Sequence, residues 1–86
     1  MNVHFYGSAL DFTGGAATYQ PGGSPDLKSL ISDLGGRFGD SFRDKLLAND
    51  SFLILVNGKG IMQTGGFDTK LSPGDKVEIL PFIEAG

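Results

Sequence analysis

The stretch SPDLKSLISDL, Ser24 to Leu34, is the clearest helix signal in the chain. Leu27, Leu30, Ile31 and Leu34 recur at i, i+3, i+4 and i+7, which gathers them into one apolar stripe. Ser24 is placed to cap the helix, and Pro25 suits its first position, where a backbone N–H has no intrahelical partner. Asp26 suits the positive end of the helix dipole. Gly35-Gly36 is expected to end or loosen this helix. A second helical segment is expected over Asp40–Ala48, turning Phe42, Leu46 and Leu47 toward the core and stopped by Asn49-Asp50.

Upstream of this helix, NVHFYG alternates Val3 and Phe5 against His4 and Tyr6, the period of a strand. SALDFTGGA follows, with Gly14-Gly15 as the turn. A second strand is expected around Ala16 to Gln20, ended by Pro21-Gly22-Gly23 and near enough to the first to form a hairpin. Downstream, FLILV (Phe52 to Val56) is an almost continuous apolar run, expected of a strand buried on both faces or central in a sheet. Asn57-Gly58 then signals a tight turn. Past a break at Gly65-Gly66 and a turn at Pro73-Gly74-Asp75, the last strand is expected over Lys76–Leu80. Val77 and Ile79 point one way in it, and Lys76, Glu78 and Leu80 the other.

The order is therefore two strands, a helix, a shorter helical segment, a strand, a short strand and a last strand. Two hairpins flanking one main helix describe an α+β domain, with the helix packed across one face of a mixed four- to five-stranded sheet. The last strand can then return to lie beside the first. This is the β-grasp, or ubiquitin-like, arrangement. Residues 1–86 are expected to form one such domain with a flexible C-terminal tail from about residue 82.

Composition bounds what such a domain can do. A chain of 86 residues buries only about 60 % of its unfolded surface, enough for one core and no deep cleft between lobes. Apolar residues make up 40 % and charged residues 20 %, which is globular rather than disordered. The net charge of −3 argues against a nucleic-acid partner. Its seven basic residues (Lys28, Arg37, Arg43, Lys45, Lys59, Lys70 and Lys76) are scattered among acids. No run of apolar residues is long enough to cross a membrane, and no leader pattern opens the chain, so a soluble, cytoplasmic protein is expected. The absence of cysteine excludes a disulfide, a thiolate metal site and a cysteine nucleophile.

Candidate catalytic groups are few. His4 is the only histidine; it sits on a strand, and spacing implies no serine or carboxylate partner for it. Asp40 and Asp44, at i and i+4, mark a solvated helix face. Neither GGRFGD nor NGKG matches a phosphate-cradling loop, since the first follows a helix and the second reads as a hairpin turn. No bound cofactor and no metal are expected, and nothing in the chain points to catalysis on its own.

The C-terminal third carries a resemblance. ILVNGKGIMQTGGFDTKLSPGDKVEILPFIEAG is similar to the C-terminal half of the MoaD/ThiS sulfur-carrier proteins. The matching features are Val56-Asn57-Gly58 closing a strand, Leu71 and Gly74-Asp75-x-Val77 around the last turn, and Pro81 shortly before the end. The first strand, the capped helix and FRDKLL before the third strand are compatible with the MoaD branch. Such membership implies a particular chemistry at the last residue. A partner enzyme of the ubiquitin-activating type adenylates the terminal glycine carboxylate with ATP and Mg²⁺. Sulfur then replaces the AMP to give a thiocarboxylate.

By that resemblance Gly86 maps to the activated residue, Glu84 and Ala85 to the threaded tail, and Phe82 and Ile83 to apolar anchors on a partner. For Phe82 the alternative is a last core side chain of the strand. The MoaD branch further implies sulfur donation in molybdopterin assembly with a MoaE-like large subunit as acceptor. A protein modifier joined to lysines through Gly86, or a non-conjugating ubiquitin-like interaction domain, are the other readings of the same sequence. The family pattern ends Gly-Gly, whereas this chain ends Ala85-Gly86, and the added methyl disfavours positive φ by about 1 kcal/mol or more.

Overall fold

The computed structural model describes residues 1–48 and 51–82. Five strands form one mixed sheet: β1 (Asn2–Phe5), β2 (Thr18–Tyr19), β3 (Phe52–Val56), β4 (Lys59–Gly60) and β5 (Lys76–Pro81), in the order β2-β1-β5-β3-β4. β5 lies in the centre, parallel to β1 and antiparallel to β3, with Val3 opposite Val77 and Ile54 opposite Ile79. Three helices accompany it: α1 (Ala9–Phe12), α2 (Leu27–Phe38) and α3 (Asp40–Ala48). Two 3₁₀ turns, Ile61–Gln63 and Gly66–Asp68, lead from β4 toward β5. The expected β-grasp is the observed fold, with α2 as its main helix.

The core follows from alternation and the helical stripe. Val3 and Phe5, Phe52, Ile54 and Val56, and Val77 and Ile79 are all buried, as are Leu27, Leu30, Ile31 and Leu34 of α2. Phe42 of α3 is fully buried among rings, stacked on Phe12 at 5.2 Å and edge-on to Phe38 and Phe52 at 6.3 and 5.9 Å. Such offset and T-shaped pairs add about 0.5–1.5 kcal/mol each beyond the area they bury.

Several local expectations are corrected. The α2 N-cap is Asp26, not Ser24: its backbone is extended and its Oδ1 accepts the Ser29 N–H at 2.8 Å. The cause is tertiary. The Pro25 carbonyl accepts the Leu71 N–H and the Leu27 N–H donates to the Thr69 carbonyl, so the chain is held extended through Asp26 and can coil only after it. Hydrogen bonds from the Ser29 backbone first, then from its side chain, hold the Asp26 carboxyl below its usual pKa.

Gly35-Gly36 neither ends nor loosens α2, which continues to Phe38 and stops at Gly39, where φ is 113°. Gly35 is buried where α2 crosses α3, and a Cβ there would lie 2.8 Å from the Cβ of Arg43. Leu47 does not reach the core but is 42 % exposed. Phe42 and Leu46, four residues apart, share the buried stripe, and Leu47 lies about 100° further round the helix. β2 is shorter than Ala16–Gln20, and the β1–β2 connection coils as α1 because Ala9 and Phe12 both pack inward.

β3 ends in a two-residue turn whose central residues, Asn57 and Gly58, have φ of 53° and 83°, the positive values a tight hairpin needs. Asn57 also locks the start of β5. Its Nδ2 donates to Asp75 Oδ1 at 2.9 Å, and its Oδ1 accepts the Lys76 N–H at 3.0 Å. Asp75 Oδ2 accepts the Ser72 N–H at 2.8 Å. The Asn57 bond, then the Ser72 bond, hold the Asp75 carboxyl below its usual pKa. Two turns that share sequence motifs with sulfur carriers are thus one clasp that sets the register of β5.

Candidate functional site: the open sheet face and the C-terminal exit

All three helices stand on one side of the sheet, and alternation delivers a different set of side chains to the other. Glu78 lies opposite His4 on β1 and Leu55 on β3, and Leu80 lies opposite Leu53. These residues are only half-buried, and Tyr6, just past β1, is 41 % exposed. The result is an uncovered apolar strip of Leu53, Leu55 and Leu80 beside a polar group of His4, Tyr6, Lys76 and Glu78. FLILV is therefore not buried on both faces: β3 is interior to the sheet, but Leu53 and Leu55 face outward. An unbroken apolar run carries no period, so nothing in it separates its two sides.

The polar group is ordered. The Tyr6 hydroxyl donates to Glu78 Oε2 at 3.0 Å, and Lys76 Nζ approaches the same oxygen at 3.7 Å. The hydrogen bond to Glu78 raises the Tyr6 pKa above its usual value.

The strip leads to the point where the chain leaves the sheet. β5 runs one residue beyond the expected Leu80, to Pro81, which pairs with Phe52. Pairing to β1 stops at Ile79, so Pro81 has a strand on one side only, where a residue lacking an N–H is tolerated. Phe82 continues the ladder through its N–H to the Ser51 carbonyl at 3.4 Å. Its side chain is 48 % exposed, so it is not a last core residue. Phe82 stands exposed just past the end of β5, two residues beyond Leu80. Ile83, Glu84, Ala85 and Gly86 lie outside the described residues.

Elsewhere the described residues offer little chemistry. No group of three or more His, Asp or Glu among them can hold a metal ion. Asp40 and Asp44 are exposed and both pair with Arg43, at 3.3 Å each. No helix among the described residues is long and apolar enough to cross a membrane.

The ThiS family model matches residues 3–86. Among solved structures the chain resembles CysO of Mycobacterium tuberculosis, with a TM-score of 0.82 and 25 % identity over 95 % of this chain and 98 % of that one. Urm1 of Trypanosoma brucei gives 0.75 and 26 %, over 99 % and 93 %. A putative molybdopterin converting factor subunit 1 from Pyrococcus furiosus gives 0.67 and 19 %, over 95 % of each, a likeness of fold alone. No curated protein matches by sequence.

Proposed function

The chain belongs to the ThiS family of ubiquitin-like sulfur carriers, and from that premise we propose that its working group is the carboxylate of Gly86. What carries this reading is that the family match runs to the last residue. The exposure of Phe82 at the base of the tail supports it, because a tail that must enter another protein has to leave the domain uncovered.

The chemistry is the partner's. A carboxylate oxygen of Gly86 attacks the α-phosphorus of ATP, held with Mg²⁺ by an adenylating enzyme of the ubiquitin-activating type, and pyrophosphate leaves. A sulfur nucleophile then attacks the acyl carbon and AMP departs. Glycine leaves that carbon unhindered, and Ala85 restricts the preceding residue to backbone any L-residue adopts. Phe82, Ile83, Glu84 and Ala85 are the partner-binding segment, with Phe82 anchoring where tail meets sheet. The chain itself acts as a cytoplasmic carrier and co-substrate, not an enzyme.

The MoaD-like features of the sequence favour molybdopterin assembly, with a MoaE-like large subunit receiving the sulfur. The Pyrococcus furiosus neighbour, described as a converting-factor subunit, is in keeping with this through its fold.

The test is mass spectrometry of the C-terminal peptide from protein purified from its own host. The expected product is Gly86 with one carboxyl oxygen replaced by sulfur. Peptide mapping is essential, because Met62 is 80 % exposed and its sulfoxide adds the same nominal mass. An unmodified Gly86, with Ala-Gly remnants on lysines of other proteins, would overturn the carrier reading in favour of a protein modifier.

A further inference from the structure

Glu78 is a carboxylate on the open sheet face, among half-buried leucines. It lies between His4 and Leu55 and two residues along the strand from the Leu53–Leu80 pair. Its side chain is only 20 % exposed. Oε2 is held by the Tyr6 hydroxyl at 3.0 Å and approached by Lys76 at 3.7 Å. Among the described residues no donor meets Oε1. Oε1 is open to solvent, since no buried side-chain oxygen among the described residues lacks a partner. A protein that covers Leu53, Leu55, Leu80 and Phe82 removes that solvent. Burying an ion without replacing its hydrogen bonds opposes what the covering of the leucines returns. The Tyr6 clasp keeps the carboxylate from swinging out to solvent.

We propose that Glu78 is the specificity-determining residue of this face, accepted only by an adenylating partner that presents a basic side chain to it. The occupant is that partner because β5 carries Glu78 and Leu80 of this face directly to exposed Phe82, the first residue of the segment that the carrier reading gives to it. A wholly apolar surface fits the leucines but strands the carboxylate, so Glu78 selects against it. This rests on the carrier reading of Gly86.

The test uses each ubiquitin-activating-type enzyme from the protein's own genome, assayed by ATP–pyrophosphate exchange with the full-length chain as acceptor. With an enzyme that turns over the wild type, Glu78→Gln is expected to raise KM at least about tenfold with kcat unchanged. Added salt should raise the wild-type KM but leave that of Glu78→Gln nearly flat. Tyr6→Phe should fall between the two, and Lys28→Ala, on the helical side, should match the wild type. A thermal midpoint unchanged in Glu78→Gln separates this from a structural role. Equal or lower KM for Glu78→Gln, with active wild type, overturns the proposal alone. Exchange with no enzyme, even for the wild type, overturns the carrier reading and this inference with it.

Discussion

On the side of the sheet that meets the helices, Val3, Phe5, Phe52, Ile54, Val56, Val77 and Ile79 of the three inner strands are sealed into one core, with Phe42 at the centre of a ring cluster. On the other side the same strands present half-exposed leucines, an ordered carboxylate and, at the exit, an exposed phenylalanine. Strand β5 serves both: Val77 and Ile79 go to the core, and Glu78 and Leu80 to the open face. The difference separates fold from work. Substitutions on the covered side should move stability, and those on the open side should move partner chemistry.

The largest effect is expected at Phe42. Replacing it with alanine removes a fully buried ring that touches four others and should cost about 3–5 kcal/mol, read from the shift of a urea unfolding curve. A loss under about 1 kcal/mol would mean that the core is not organised around this ring. Adjacent glycines of α2 sharpen the contrast. At Gly35 an added methyl meets Arg43, and strain of about 1–3 kcal/mol outweighs a helix-propensity gain of about 1 kcal/mol. At Gly36 nothing lies within 4 Å, so the same change should stabilise by about 0.5–1 kcal/mol. Stabilisation by the same change at both positions would break the assigned α2–α3 crossing.

Acid acts on the clasp and the cap. Asp75 and Asp26 have folded pKa values below the unfolded one, so the stability they add is complete above the unfolded value of about 3.9 and disappears as pH falls through the lower folded values. Thermal midpoints should therefore fall below about pH 4, and fall less in Asn57→Ala, which loses the strongest of the contacts on Asp75. Identical slopes would sever Asn57 from that carboxylate. The smallest stability change is expected for Phe82→Ala, within about 0.5 kcal/mol for a surface position. Its adenylation should nevertheless weaken, since Phe82 borders the tail.

Element order was legible because periodicity reports which side of an element is buried, and Val3/Phe5, the α2 stripe and Val77/Ile79 all obey it. What escaped was decided by partners distant in the chain. Ser24 satisfies the local rules for a cap, yet the bonds from Leu71 to the Pro25 carbonyl and from Leu27 to the Thr69 carbonyl move the cap to Asp26. Gly35-Gly36 reads as a breaker until Arg43 is seen against it. For Phe82 the sequence left open an anchor or a last core side chain, and its exposure removes only the second. The Tyr6–Glu78 clasp joins residues 72 apart, which no local pattern reports.

The most direct measurement is ATP–pyrophosphate exchange by the chain's own adenylating enzyme, comparing the intact protein with one lacking Gly86, alongside their thermal midpoints. Exchange with the intact chain, none with the truncated one and equal midpoints are the predicted result. Undiminished exchange without Gly86, or a truncated chain that unfolds, would contradict the claim that this carboxylate is the working group of an independently stable fold.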